Sequence, residues 1–183
     1  GLPLSVENDV FCFALSEQKS SNYLFFTIGT GIGGAIVISN KLYKGNNLTA
    51  GSFGQMQLFG RRFEDIASSK ALLLKIHQML PHITSLEQAF AQYTEDEKVK
   101  MILDAYFHVL ATGILNLSYS FDPDVIYIGG GVAQNHFFLE QLQKNIETLK
   151  DSSYHHASLQ QASFPNTGGL IGALVFFKQM YPK

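Results

Sequence analysis

Residues 25–45 read FFTIGTGIGGAIVISNKLYKG, and Gly29, Gly31 and Gly34 stand within them at the G-x-G-x-x-G spacing of a dinucleotide-binding loop. That fingerprint carries a mechanical requirement: its third glycine must open a helix whose N-terminus faces the pyrophosphate. Here Gly34 is followed by AIVISN, a β-branched run of the kind that builds a strand. Ser39-Asn40-Lys41 then reads as a tight turn into LYKG. The stretch is strand, glycine turn, strand, turn, strand, and this pattern argues against a Rossmann phosphate site.

Upstream, Asn8 and Asp9 can cap a helix over VFCFALSEQ, which Ser20-Ser21-Asn22 breaks. Downstream, residues 45–60 are loop-like, and FEDIASSKALLLKIHQML reads as one helix stopped by Pro81. Glu64 and Asp65 fall in its first turn, where the helix dipole favours acids. A short helix is predicted near Ser85–Gln92. Thr94 is read as the cap of a long helix whose Val99, Ile102, Leu103, Tyr106, Leu110, Ile114 and Leu117 form an apolar stripe. VIYIGGG is a short buried strand running into glycines, and Asn135 can cap the helix after it. NTGGLIGALVFFKQM reads as a glycine-opened helix, apolar nearly all round and hence buried. There are no repeats, low-complexity segments or internal linkers.

At 183 residues the chain suits one domain, or one lobe of a larger protein. It is 46% hydrophobic and 15% charged, with 13 basic against 15 acidic residues. That balance gives no electrostatic bias toward nucleic acid or an anionic membrane. A single cysteine, Cys12, excludes an internal disulfide and fits a reducing compartment; in VFCFAL it is most simply a small buried hydrophobe. No stretch is read as a membrane span, nor the N-terminus as a signal peptide, so the expected setting is the cytoplasm. The start at GLPLSVEND is abrupt, which suggests a fragment.

Two glycine turns need explaining, Gly29–Gly34 between strands and Gly129–Gly131 between strand and helix. Glycine lets a backbone approach phosphate closely and aim several N–H groups at it. Either turn alone is as readily a tight turn and nothing more. Together, and with Gly168-Gly169 opening a further helix, they favour nucleotide binding.

Four segments in order, VENDVFCFALSE, FTIGTGIGGAIVISNKLYKGNNLTAGSFGQM, DPDVIYIGGGVAQN and NTGGLIGALVFF, resemble the ROK (repressor, open reading frame, kinase) family of sugar kinases and sugar-responsive regulators. The resemblance spans nearly the whole chain. It implies an α/β fold of the actin-like ATPase (ribonuclease H-like) type, a mixed β-sheet flanked by helices, with ATP and sugar between two lobes. It also implies that residues 1–183 form a single domain, the second, C-terminal lobe, and that the first lobe lies outside this chain. Asp9 then matches the family's catalytic base, with Asn8 and Asp9 at the sugar; the plain alternative is that both only cap a helix. Gly29, Thr30, Gly31 and Gly33 match the loop touching the nucleotide phosphates, and Gly129, Gly130 and Gly131 the turn near the nucleoside. Glu64 stands where the family has a sugar-contacting glutamate, and a first-turn dipole residue is an equal alternative.

The sequence departs from the family at two places. Where members usually carry E-x-G-H in the sugar site, this chain has Ser52, Phe53, Gly54 and Gln55. Losing two hydrogen-bonding side chains should weaken or redirect hexose recognition, although Gln55 still donates and accepts. The C-x-C-G-x-x-G-C zinc cluster of many members is also missing: QLFGRRFED has no cysteine, and the six histidines, His155-His156 included, show no ligand-like spacing. No metal ligands and no structural zinc are expected, and Mg²⁺ would travel with ATP. Three readings remain open: a lobe of an ATP-dependent sugar kinase acting on a hexose, amino sugar or glycoside, inactive on its own; the sugar-sensing domain of a ROK-type repressor, its DNA contacts elsewhere; or a degenerate member. The resemblance suggests a homodimer, to which the aromatic YFHVL and HFFLEQL stretches could contribute, though they more simply pack on their own sheet.

Overall fold

The computed structural model describes residues 3–153 and 157–182, so His155 and His156 lie outside the described residues. In chain order the elements are α1 (Asp9–Leu15), β1 (Tyr23–Ile28), β2 (Ile32–Ile38), β3 (Lys41–Tyr43), β4 (Gln57–Leu58), β5 (Arg61–Arg62), α2 (Phe63–Ala67) and α3 (Ser69–Met79). There follow α4 (Leu86–Ala91), α5 (Glu97–Phe121), β6 (Val125–Gly129), α6 (His136–Leu149), β7 (Ser158–Gln161) and α7 (Gly168–Met180).

β1, β2 and β3 form the expected antiparallel meander, and β6 and β7 extend it in parallel, giving the order β3-β2-β1-β6-β7. Gly34 lies inside β2, paired with Phe26, so no helix follows the glycine turn and the dinucleotide reading is excluded. Both faces of β1 are apolar. Leu24, Phe26 and Ile28 join the large core with Leu103, Phe107, Leu110, Phe138 and Leu142 of α5 and α6. Tyr23 and Phe25 point the other way, into a smaller core with Phe11 and Ala14 of α1 and with Tyr127. A strand whose alternate residues are all apolar is one covered on both sides, which is the requirement of an α/β layer. The Tyr23 hydroxyl ties α1 to the sheet, lying 2.7 Å from the Ala14 carbonyl and 2.8 Å from that of Glu17.

Several boundaries differ from the sequence expectation. The helix expected over 63–80 is two: Ser68, with ψ at 157°, breaks it, and its hydroxyl accepts from the Ala71 N–H at 3.1 Å to cap α3. The long helix is capped by Asp96, which accepts from Lys98 and Val99, and not by Thr94. α1 ends at Leu15, well before Gln18. By length and composition alone α5 could cross a membrane, contrary to the first reading. Its apolar stripe from Val99 to Leu117 is instead buried in the chain's own core.

α7 was expected to be buried and is not: Leu170 is 78% and Leu174 54% exposed. It packs on α1 through Gly168 and Gly172, and its other sides meet nothing among the described residues that would bury them. The aromatic stretches behave as the simpler reading held, with Phe107, Phe137 and Phe138 clustered inside the chain.

Candidate functional site

The N-terminus of α1, the start of β2 and the loop of residues 45–55 enclose a cavity of about 430 Å³. It brings together four of the expected site residues: Asn8, Gly33, Ser52 and Gln55. Gly33 pairs with Thr27 of β1, and a Cβ there would sit 2.8 Å from Val10 Cγ2, so glycine is what lets α1 close down on the sheet. Asn8 caps α1, its Oδ1 accepting from Val10 (2.9 Å) and Phe11 (3.3 Å). Asp9, between the lining residues Asn8 and Val10, is exposed and does not itself line the cavity. Its Oδ1 accepts from the Val10 N–H at 2.8 Å, and its other oxygen has no partner among the described residues.

Glu7 and Lys44 were missed by sequence reasoning. Glu7 Oε1 accepts from the Asn8 N–H at 2.9 Å, while Oε2 pairs with the Lys44 ammonium, and the Glu7 side chain is only 9% exposed. The ammonium also lies over the rings of Phe11 (5.9 Å) and Phe176 (5.0 Å). The pair thus ties the residues beside Asp9 to β3 and α7. The one sequence signal for it is the acid next to Asn8-Asp9; nothing local points to a lysine so distant in the chain. Burial first, then the charges of Glu7 and Asp9, push the Cys12 thiol up, which keeps it neutral and unreactive.

A second cavity of about 520 Å³ is lined by Thr30, Gly31, Glu64 and Lys70. Glu64 is the hinge between the two. Its Oε2 accepts from the Ile32 N–H at 3.3 Å, and its Oε1 accepts from Gln55 Nε2 at 3.4 Å. Gly31 lies close beside it: a Cβ there would sit 2.6 Å from Glu64 Oε2 and would push the carboxylate aside. Lys70, also missed, opens α3 and donates its backbone N–H to the Gly29 carbonyl at 3.4 Å. The N-terminus of α3 therefore adjoins the first glycine turn, a setting suited to anions.

The second glycine turn comes to the same edge of the sheet. β1 and β6 are parallel neighbours with Thr27 opposite Gly129, so Gly29–Gly33 and Gly129–Gly131 emerge side by side. Gly130, at φ 94°, sits where a Cβ would be 2.3 Å from the Ile28 carbonyl oxygen, a place open to glycine alone. Next to Gly29 and Gly131 a Cβ would meet nothing within 4 Å, so the backbone is bare at both. Among the described residues no three His, Cys, Asp or Glu side chains converge as a metal site.

A mixed sheet layered by helices on both faces, with two bare glycine turns at one edge, is the α/β architecture of the actin-like ATPase fold. The chain belongs to the ROK family, whose model matches residues 1–180. It is 35% identical to a beta-glucoside kinase of Klebsiella pneumoniae over 99% of this chain and 66% of that protein, so it spans somewhat under two thirds of that relative's length. Among solved structures it is similar to a ROK family protein of Streptococcus pneumoniae in complex with sucrose (TM-score 0.87, 28% identity, 95% of this chain and 65% of that one). It shares its fold with a ROK glucokinase of Streptomyces griseus in complex with glucose and AMPPNP (TM-score 0.83, 24% identity, 97% of this chain and 69% of that one).

Proposed function

We propose that this chain is the second lobe of an ATP-dependent sugar kinase, phosphorylating a hydroxyl of a hexose, amino sugar or glycoside. The observation that carries the reading is Asp9: a solvent-facing carboxylate with one oxygen uncommitted, held in the first turn of a capped helix between Asn8 and Val10, which both line the first cavity. Phosphoryl transfer asks a protein for positioning, charge neutralisation and one carboxylate near the attacking oxygen. In this reading Asn8 hydrogen-bonds an adjacent sugar hydroxyl, and the free oxygen of Asp9 takes the proton from the attacking one. The deprotonated sugar oxygen bonds to the γ-phosphorus as the bond from that phosphorus to the β–γ bridging oxygen breaks, and ADP leaves with the electron pair. Gly29, Thr30 and Gly31 would face the phosphates and Gly129, Gly130 and Gly131 the nucleoside, while Gly33, expected with the first group, lies in β2 against Val10 of α1 and lines the first cavity instead. Mg²⁺, carried in on the phosphates, would neutralise their charge. Glu64 would hold the sugar-side and phosphate-side loops in register through Gln55 and Ile32.

The kinase relative supports this reading, and the reduced, buried Cys12 fits a cytoplasmic setting. The test is ADP release by the full-length protein with ATP and Mg²⁺ across hexoses, amino sugars and β-glucosides. Sugar-dependent turnover supports the proposal; a folded protein that turns over none of them overturns it. This chain alone, with one wall of the cleft, is expected to be inactive. The second reading, a sugar-sensing domain of a ROK-type repressor, is favoured by one observation, the replacement of the sugar-reading pair by Ser52 and Gln55.

A further inference from the structure

Glu64 stands between the two cavities, and its two oxygens serve different loops. Oε2 accepts from the Ile32 N–H, directly after the phosphate-side turn, and Oε1 accepts from Gln55 Nε2 in the sugar-side loop. Both loops pack against it: a Cβ on Gly31 would lie 2.6 Å, and one on Gly54 3.1 Å, from Oε2. Glu64 lines the second cavity and not the first, so its link to the sugar side runs through Gln55, which lines the first.

The hydrogen-bonding pattern dictates which group can make this link. Arg62, held by Asp65 through bonds of 2.8 and 3.0 Å, donates from Nη1 to Gln55 Oε1 at 3.5 Å. The Gln55 oxygen is therefore turned to Arg62 and its nitrogen to Glu64, and the second N–H of that nitrogen has no partner among the described residues. With N–H groups arriving from both Ile32 and Gln55, residue 64 has to accept twice. A carboxylate does so with one oxygen for each, and a carboxamide cannot. At 3.3 and 3.4 Å both bonds exceed the usual range of about 2.7–3.2 Å, so the carboxylate is seated slackly at both ends.

Resting on the kinase reading, we propose that Glu64 is a positioning residue that makes sugar and nucleotide bind synergistically. A sugar that takes the free N–H of Gln55 fixes that side chain, draws the carboxylate in and tightens its hold on Ile32 and the turn before it. The nucleotide then meets a turn that is already ordered, and the same linkage runs in reverse.

The test uses the full-length protein. Calorimetry gives the Kd of AMPPNP with Mg²⁺ in the absence and presence of saturating glucose, phenyl β-glucoside or N-acetylmannosamine, and ADP release with ATP is followed in parallel. At least one sugar is expected to tighten AMPPNP about five-fold or more, and AMPPNP to tighten that sugar by the same factor. Glu64→Gln keeps the shape but turns a donor toward either Ile32 or Gln55, and is expected to bring the factor close to one. Combining Gln55→Glu with Glu64→Gln exchanges the two groups. The new carboxylate accepts from Arg62 and from the new amide, whose oxygen faces Ile32, so the double variant is expected to regain the factor even where its sugar affinity differs. A factor retained by Glu64→Gln, or lost in both variants, overturns the coupling. So does a parent protein in which no sugar tightens AMPPNP, and ADP release from that protein leaves the kinase standing. Synergy that is lost and regained in this way without any ADP upholds the coupling and removes the kinase.

Discussion

Asp9→Asn separates the two roles that this residue could play. The substitution is isosteric, and the amide oxygen can still accept the bond that Asp9 Oδ1 takes from Val10 at 2.8 Å. The cap of α1 is Asn8, so Asp9→Asn leaves it in place. What the helix loses is one exposed negative charge in its first turn, about 0.3–1 kcal/mol. What catalysis loses is a general base, typically about 10²–10⁴-fold in rate, or about 3–5 kcal/mol of barrier. Asn8→Ala has the reverse profile for the helix, removing the cap at about 1 kcal/mol, or a few degrees of Tm for a chain of this size. The assay is coupled ADP release by the full-length protein at saturating sugar and ATP with Mg²⁺, alongside thermal melts. Asp9→Asn is expected to lose at least 100-fold in kcat with Tm nearly unchanged. Retention of more than about a tenth of kcat would refute the base. So would a fall in Tm as large as that of Asn8→Ala, with activity tracking the folded fraction; Asp9 would then be a helix-terminal residue and no more.

The Tyr106 hydroxyl is buried without a hydrogen-bond partner, so Tyr106→Phe should stabilise the protein by about 1 kcal/mol in urea unfolding; destabilisation would show that the hydroxyl is satisfied. Gly172→Ala would set a Cβ 1.5 Å from the Cys12 carbonyl oxygen and should cost about 2 kcal/mol or more by forcing α7 off α1, whereas Gly131→Ala, with nothing within 4 Å, should cost far less. Tyr93 is pushed up to about 12, chiefly by burial and then by its hydrogen bond to Asp104, and burial also raises Tyr23 and Tyr106. The folded state therefore favours the protonated phenols, so their contribution is whole below the ordinary tyrosine value near 10 and is lost as pH rises toward about 12 and beyond; melts from pH 8 to 12 should show Tm falling only above about 10.

What the sequence disclosed depended on whether the deciding contact was local. The meander was legible because AIVIS cannot open a helix, and that settled Gly34 as a strand residue. Asn8 and Asn135 were legible as caps because a cap acts within three residues. Ser68 escaped although it too is a cap, since the apolar periodicity runs unbroken across it and hides the change of direction. The burial of α7 was misjudged for a related reason: composition shows that a helix is apolar, but not how many of its sides have something to pack on. Glu7–Lys44 and the Lys70–Gly29 bond join residues far apart in the chain, and no spacing rule reports them.

The same distinction explains why the site itself was only half legible. Each glycine turn is a local feature, and either one alone is as well explained as a tight turn. What makes them a pair is the parallel alignment of β1 with β6, and that alignment is set by burial: Phe26 and Ile128 on one face, Phe25 and Tyr127 on the other, have to share their layers. Shifting β6 by one residue would turn Tyr127 into the α5–α6 core and carry Gly129 off its rung beside Thr27. The apolar pattern that fixes the fold therefore also fixes the distance between the two bare stretches of backbone. The polar residues around them, Glu64 above all, then add bonds from loop to loop across a spacing that the core has already set.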